Sequence, residues 1–197
     1  QGFQDCQALL SVDTRKSPVM RQAAAAGAGL INDVTALSFS DDSLQTVSEL
    51  ALPVCLMHSQ GTPQTMQDDP RYDDVVLDVY DYLAGRIDVC VAAGIDRDQI
   101  IIDPGIGFGK TVRHNLALID EIAMFHGLGV PILLGASRKS FIGVAAKNAG
   151  VGNRLPGSLA VALAGARAGV QILRVHDVAE TKQALAVSMS VEHHGFC

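Results

Sequence analysis

The residues best suited to chemistry lie in one glycine-rich stretch, Asp-Pro-Gly-Ile-Gly-Phe-Gly-Lys, which runs from Asp103 to Lys110. Three isoleucines precede it and predict a buried parallel strand, which Pro104 ends because proline cannot extend the hydrogen-bond ladder. Asp103 is therefore expected at the carboxyl end of that strand. The glycines let the backbone approach a ligand closely, and Phe108 offers a flat apolar face. The stretch predicts the floor and rim of a small-molecule site.

Two nucleotide-binding motifs fail in this stretch because of their spacing. A phosphate-binding P-loop needs a glycine six residues before its lysine, and that position is Pro104. The dinucleotide fingerprint needs a third glycine where Lys110 stands. Neither ATP nor NAD binding is predicted.

Three acceptor side chains follow three different strands and could share one cavity. These are Asp13, Asn32 and Asp103. Buried carboxylates without partners are costly, so the set implies a ligand with several N–H donors, as an aminopyrimidinone edge has. Any one of them alone is better explained as a helix cap or a strand end. The binding hypothesis depends on all three together.

Donor side chains follow the last two predicted strands. Lys139 comes after Ser137 and Arg138, and Arg174 and His176 flank one valine. Strand alternation would send Arg174 and His176 to the same side. A guanidinium beside an imidazole suits a phosphate or pyrophosphate.

Three neighbouring residues have structural explanations that compete with a role in binding. Arg138 could form a salt bridge at the rim of the sheet as readily as it could contact a ligand. His58 follows a strand, where a structural histidine is as common as a site residue. Met57 is more often a core residue than a ligand contact.

The elements that must position these side chains follow one repeated pattern, a short apolar run and then a helical period. Strands are predicted at residues 8–12, 30–31, 53–57, 100–103, 131–134 and 170–175. Helices are predicted from an N-cap at Ser17, over 43–50, along an apolar stripe from Val75 to Val91, over 114–125, from a cap at Ser158, and from a cap at Asp177 to about 191. Six β-α units predict a parallel sheet covered by helices. Polar residues at the carboxyl ends of its strands are typical of a (β/α)8 barrel, although a doubly wound open sheet also binds ligands there.

Composition limits the class of protein. The 197 residues are enough for one domain, and the net charge of -6 argues against nucleic acid or an acidic membrane as the main partner. No segment resembles a membrane span or a signal peptide. The four cysteines are Cys6, Cys55, Cys90 and Cys197. They form no Cys-x-x-Cys pair, which favours reduced thiols in the cytoplasm over a disulfide framework.

Six stretches in order resemble dihydropteroate synthase, a pterin-binding enzyme of the folate pathway. They are Ser-Val-Asp-Thr at 11–14, Ile-Asn-Asp-Val at 31–34, Cys-Leu-Met-His at 55–58 with Gln-Gly at 60–61, the stretch at 103–110, Ser-Arg-Lys-Ser at 137–140, and Arg-Val-His-Asp at 174–177. The resemblance implies a (β/α)8 TIM barrel and one pterin-binding domain over residues 1–197. It also implies a magnesium-assisted condensation of 6-hydroxymethyl-7,8-dihydropterin pyrophosphate with p-aminobenzoate, a homodimer and a target of sulfonamides.

The resemblance assigns roles by matching position. Asp13, Asn32, Met57, Asp103 and Lys139 would bind the pterin, Arg174 and His176 the pyrophosphate, and Phe108, Ser137 and Lys139 would border the p-aminobenzoate pocket. The family's first two β-α units, whose loops serve the metal and part of the p-aminobenzoate site, have no counterpart here. The chain is therefore expected to supply strands three to eight and no metal ligand. Either the molecule has these two units outside the given sequence, or it consists of the six strands alone. In the second case an open sheet with two edges would be unstable or self-associating.

Two other functions share these acceptors. A pterin-dependent methyltransferase domain would use the same barrel, but it needs no pyrophosphate clamp such as Arg174 with His176. A pterin-binding module without turnover would keep the pterin contacts alone. Pterin binding without condensation would identify the module.

Overall fold

Six short strands alternate with helices along the computed structural model, which describes residues 8–61, 65–147 and 149–193. The strands are β1 Ser11–Asp13, β2 Leu30–Asp33, β3 Val54–Met57, β4 Ile100–Asp103, β5 Leu133–Leu134 and β6 Ile172–Leu173. The α-helices are α1 Ser17–Ala25, α2 Ser43–Leu50, α3 Val75–Ala92, α4 Val112–Asp120, α5 Ser140–Ala145, α6 Leu155–Arg167 and α7 Val178–His193. Short 3-10 helices span Arg97–Gln99, Ile122–Leu128 and Val151–Asn153. The predicted order of six β-α units is confirmed.

All the strands pair in parallel and in chain order. Strands β1 to β4 form one sheet, and β5 pairs with β6. A parallel bridge between Ile102 and Ile132 joins β4 to the segment that leads into β5. The six strands therefore follow one another around one surface, as consecutive βαβ units require.

This surface curls, because its first and last strands come within side-chain reach. Asp13, at the end of β1, has a carboxylate oxygen 3.0 Å from Nη1 of Arg174, directly after β6. In a flat sheet, five strand spacings would separate these strands by roughly 24 Å, farther than two side chains can span. The curl turns one face of the sheet inward.

The hydrophobic core lies between the sheet and its helices. Strands β2 and β3 are buried along their whole length, whereas β1 exposes Ser11 and Asp13 at the edge of the sheet. Helix α3 buries Val79, Leu83 and Ile87 against this core. Burial on both faces explains the continuous apolar character of the central strands.

One position of the predicted stripe on α3 faces solvent. Val91 is 43% exposed, and Cys90 is buried in its place. Steps of four residues turn the stripe by about 40° each, since a helix has 3.6 residues per turn. In the last turn the inward-facing residue is therefore Cys90 and not Val91.

Two predicted N-caps are wrong by one and by four residues. Helix α1 is capped by Lys16, and Ser17 is its first residue, with its hydroxyl donating to Asp42 at 2.6 Å. Helix α6 begins at Leu155, so that Ser158 lies inside its first turns. In both cases the serine hydroxyl makes a tertiary hydrogen bond instead of capping its own helix, a choice that local sequence does not reveal.

The helix predicted over 114–125 is two elements. Thr111 caps α4, and its hydroxyl accepts a hydrogen bond from the backbone N–H of His114 at 3.2 Å. Helix α4 therefore starts at Val112 and ends at Asp120, and a 3-10 helix continues to Leu128. The capping box, with the His114 ring as its second half, was the missed signal.

Strand ends also differ from the prediction. Strand β2 continues through Asn32 and Asp33, whereas β1 and β5 begin later than expected. Strand β6 ends at Leu173, although Arg174 still donates its N–H to the carbonyl oxygen of Leu134 at 3.0 Å. His176 therefore follows the strand, and alternation within β6 does not decide its direction.

The described residues contain no helix that is long and apolar enough to cross a bilayer. Cys55 and Cys90 are buried and not disulfide-bonded. Cys6 and Cys197, included in the thiol prediction, lie outside the described residues.

Candidate functional site

Register places the predicted acceptors on one face of the sheet. Asp13 pairs with Asn32, and Asn32 in turn pairs with Cys55. Met57 is two residues beyond Cys55 and pairs with Asp103. Residues in register, and residues two apart in a strand, point to the same side. Asp13, Asn32, Met57 and Asp103 therefore share the inward face.

The opposite face is apolar apart from Asp33 at the end of β2. Ile31, Leu56 and Ile102 are fully buried members of the core cluster under the helices, whereas Met57 is buried but not part of that cluster. Alternation thus separates the structural face of each strand from the face that carries polar groups. Met57, at 2% exposure, lies beside Asp103 on the polar face.

The side-chain oxygen of Asn32 is a buried hydrogen-bond acceptor. Its amide nitrogen donates to the carboxylate of Asp13, so its Oδ1 is directed elsewhere. That oxygen is buried and has no hydrogen-bond partner among the residues that the structure describes. A buried acceptor without a partner is costly, so Asn32 is suited to receive an N–H from a ligand.

Asp103 is the second buried acceptor, with 2% of its surface exposed. Its Oδ1 accepts the backbone N–H of Gly105 at 2.7 Å. Burial raises the pKa of this carboxyl, while Lys139, that hydrogen bond, Arg174 and Lys110 act to lower it. The cations around Asp103 thus oppose the cost of burying its charge.

Glycine is required where the loop after β4 passes close to its neighbours. A Cβ on Gly105 would lie 1.8 Å from the carbonyl oxygen of His58, and Gly105 has a φ of +71°. At Gly107 a Cβ would lie 3.1 Å from the side chain of Lys139. The alternating glycines therefore let the loop pack against two neighbouring segments.

Lys139 crosses this loop. Its half-buried side chain donates to the carbonyl oxygen of Ile106, and its Nζ lies 4.6 Å from the centre of the Phe108 ring. Burial lowers the pKa of Lys139 to about 8, although Asp103 acts to raise it. The structure thus brings Asp103, Phe108 and Lys139 together, as the sequence predicted.

Arg174 and His176, the residues predicted to clamp an anion, both follow β6. Arg174 is held by Asp13, and its Nε lies close to Gly135, as does Oδ2 of Asp103. His176 lies against Ser137: its backbone N–H donates to the serine oxygen at 3.3 Å, and its Nδ1 is 3.0 Å from the same atom. The donors therefore border the acceptors at the inward face.

A buried pair beneath the loop was not assigned a role from the sequence. Lys110 is 3% exposed, its Nζ lies 2.9 Å from Nδ1 of His58, and it donates to the carbonyl oxygen of Phe108 at 3.0 Å. Burial lowers the pKa of Lys110 to about 7, and burial followed by the charge of Lys110 lowers the pKa of His58 to about 3. The pair braces the loop after β4 against the end of β3.

Arg138 takes the structural alternative that the sequence left open. Its guanidinium forms a salt bridge with Asp177. Asp177 directly precedes α7, and its carboxylate binds the loop after β5.

Residues 3–176 match the family described as pterin-binding enzymes. Among curated relatives, dihydropteroate synthase of Escherichia coli is 48% identical over 178 residues, which are 90% of this chain and 62% of the relative. Dihydropteroate synthase of Haemophilus influenzae is 48% identical over 183 residues, or 93% of this chain and 65% of the relative. The chain thus spans somewhat less than two thirds of the length of these relatives.

Solved structures show the same likeness. Dihydropteroate synthase of Yersinia pestis in a sulfonamide complex superposes with a TM-score of 0.92 at 41% identity, covering 97% of this chain and 69% of that one. The enzyme of Xanthomonas albilineans with 7,8-dihydropteroate gives 0.86 at 45% identity, covering 93% and 66%. The predicted barrel class is confirmed, with only part of the barrel present among the described residues.

Proposed function

The chain belongs to the family of pterin-binding enzymes, and from that premise we propose that its site serves the dihydropteroate synthase reaction. In this reaction 6-hydroxymethyl-7,8-dihydropterin pyrophosphate condenses with p-aminobenzoate to give 7,8-dihydropteroate and pyrophosphate. The observation that carries the proposal is the pair of buried acceptors on one face, Asn32 with its unpaired oxygen and Asp103 beside Lys139. They suit a flat heterocycle with several N–H groups.

The pterin binds through its N–H edge and its ring acceptors. Asn32 Oδ1 and the Asp103 carboxylate accept from the N–H groups, and Asp13 orients the Asn32 amide by accepting from its nitrogen. The Lys139 ammonium donates to an acceptor of the pterin ring, and Met57 contacts the ring. Fixed groups of both kinds hold the reacting methylene in one orientation.

The pyrophosphate leaves with the electron pair of its C–O bond, and the p-aminobenzoate nitrogen forms the new C–N bond and releases one proton to the solvent. Negative charge grows on the departing oxygen, where the Arg174 guanidinium and an N–H of His176 stabilise it. The Ser137 hydroxyl accepts from the backbone N–H of His176 and can donate to Nδ1, which leaves Nε2 as the N–H donor for an anion. Phe108, Ser137 and the stem of Lys139 border the aminobenzoate ring.

Magnesium assists the proposed reaction. Among the described residues there is no group of three or more histidine, cysteine, aspartate or glutamate side chains that could hold a metal ion. Dependence of turnover on added Mg²⁺ would test its part in the reaction.

The remaining proposals concern the state of the protein. We place it in the cytoplasm as one domain, in agreement with the unpaired thiols of Cys55 and Cys90.

We also propose a homodimer. A largely apolar groove of about 540 Å³ between α6 and α7 offers a surface for the second copy, with Val187 and Val191 exposed in it. Analytical ultracentrifugation of the wild type and a Val187→Glu variant would test the dimer.

The Arg174→Ala change is expected to weaken binding of the pterin pyrophosphate about tenfold or more, since it removes a charged donor to the phosphate. Binding of 6-hydroxymethyl-7,8-dihydropterin, which carries no phosphate, should change much less. Isothermal titration calorimetry with both ligands measures the difference. Equal losses for the two ligands would contradict the clamp.

Affinity for the pterin pyrophosphate is expected to fall as the pH rises above about 8, where Lys139 loses its proton. The protonated amine is the donor, so the sign of the effect is a loss on the alkaline side. A Lys139→Arg variant should bind less well but lack this decline, because its guanidinium stays protonated. Calorimetric titrations from about pH 6 to pH 10 measure the profile. A decline near pH 7 that persists in the variant would instead point to Lys110.

The experiment that tests the proposed function is a condensation assay on the gene product that contains this sequence. Formation of dihydropteroate and pyrophosphate from the two substrates is the expected result. Tight pterin binding without condensation would replace the enzyme by a binding module. Methyl transfer from a methylated pterin to a corrinoid would identify the methyltransferase alternative.

A further inference from the structure

Arg138 has a backbone conformation that its surroundings enforce. Its φ is 57°, in the left-handed region that residues other than glycine rarely adopt. Its N–H donates to the hydroxyl of Ser158 at 2.9 Å, and its carbonyl oxygen accepts from Nη1 of Arg154 at 3.0 Å. Residues at the start of α6 therefore hydrogen-bond both the N–H and the carbonyl oxygen of Arg138. The tight turn directs its neighbours Ser137 and Lys139 toward the site.

The side chain of Arg138 ties this turn to the loop after β6. Its Nε donates to Oδ2 of Asp177 at 3.0 Å, and its Nη2 donates to Oδ1, so that the pair is bidentate. The carboxylate is only 13% exposed, whereas the guanidinium is 41% exposed. A bidentate pair fixes orientation as well as distance.

A second tie lies one residue away on each loop. Ser137 contacts both the backbone N–H and Nδ1 of His176. Adjacent residues of the loop after β5 therefore bind adjacent residues of the loop after β6. The last backbone hydrogen bond between the two segments is that of Arg174 with Leu134, and beyond it these side-chain contacts join the two loops.

We propose that Arg138 and Asp177 are positioning residues: their ion pair sets the place of His176 relative to Lys139, and so the distance between the pyrophosphate and pterin contacts. This inference rests on the proposed function, because His176 and Lys139 take their roles from it. Arg138 itself points to Asp177, and its effect reaches the ligand through His176.

The test is a double-mutant cycle in the gene product with Arg138→Gly, Asp177→Asn and both changes together. Glycine accepts the left-handed backbone, so the first variant removes the side chain without adding strain. Asparagine is as favourable as aspartate at a helix N-terminus, so the second removes the charge without replacing the residue before α7 by a poorer N-cap. Calorimetry measures the affinity of each protein for the pterin pyrophosphate and for the pterin alcohol without phosphate.

Each single variant is expected to bind the pyrophosphate ligand about three- to fivefold less tightly, as an exposed ion pair allows, with the alcohol unchanged. The double variant should lose no more than either single one, because both changes break the same contact. A purely structural role would weaken both ligands alike and lower the midpoint of thermal unfolding. Glu49→Gln serves as the control, since it breaks an ion pair that joins α1 to α2; the Glu49 carboxylate is 46% exposed, more than that of Asp177.

Additive losses, equal losses for both ligands, or unchanged affinity would each overturn the inference. If Arg138→Gly does not fold, the comparison of the two ligands on Asp177→Asn decides alone. Failure of the proposed function is a separate result, seen in the wild type as absence of condensation. If the wild type also fails to bind the pterin pyrophosphate, the inference falls with the function.

Discussion

Replacing Lys139 by alanine is expected to abolish detectable turnover and to weaken binding of the pterin pyrophosphate about 10- to 100-fold, the range for a lost hydrogen bond from a charged donor. The change removes the ammonium that donates to the pterin. It also removes the contacts of that ammonium with the Ile106 carbonyl and the Phe108 ring. Both substrate sites should suffer, since the lysine lies between them. Steady-state kinetics and calorimetry measure the two effects.

The control for this variant is Lys182→Ala, which removes an exposed lysine on α7. It should leave both kinetics and binding as they are. Circular dichroism and thermal unfolding must show that the Lys139 variant is folded before its kinetics are interpreted. Unchanged kinetics in folded Lys139→Ala would remove the central cation from the proposed site.

Asp103→Asn is expected to weaken pterin binding about 100-fold or more, since it replaces a charged acceptor by an amide of the same shape. The amide oxygen can keep the hydrogen bond from the N–H of Gly105, and its NH2 group then faces the ligand. A donor would meet the N–H donors of the pterin, so that the contact becomes repulsive. Calorimetry with the pterin alcohol measures this loss without any contribution from the phosphate.

The matched control is Asp33→Asn, a second buried aspartate, at the end of β2. Asp33 accepts from the N–H and hydroxyl of Thr35, each at 2.7 Å, and from the N–H of Leu37 at 3.2 Å. It lies on the opposite face from Asn32, so its change should lower the free energy of unfolding and leave pterin affinity close to that of the wild type. Loss of affinity in both variants would show that the Asp103 effect comes from the fold and not from binding.

Much of the fold follows from local patterns. Isoleucines before Pro104 mark β4, and an apolar stripe of helical period marks α3, because strand and helix bury one side at different periods. These signals depend on a few neighbouring residues, so they can be recognised without knowing which segments pack together. The helix starts predicted from Ser17 and Ser158 were wrong. Each hydroxyl could cap a helix, but it forms a hydrogen bond with a distant segment instead.

For the candidate site, too, the local sequence and the tertiary structure determined different features. The sequence by itself determined which side chains follow the ends of the strands, because glycine, proline and strand period are local properties. Only the tertiary structure decided that Asp13 pairs with Arg174, 161 residues away, and that Lys110 lies against His58. Those contacts depend on register and on the curl of the sheet. Both result from packing summed over the whole core, which no single stretch of sequence contains.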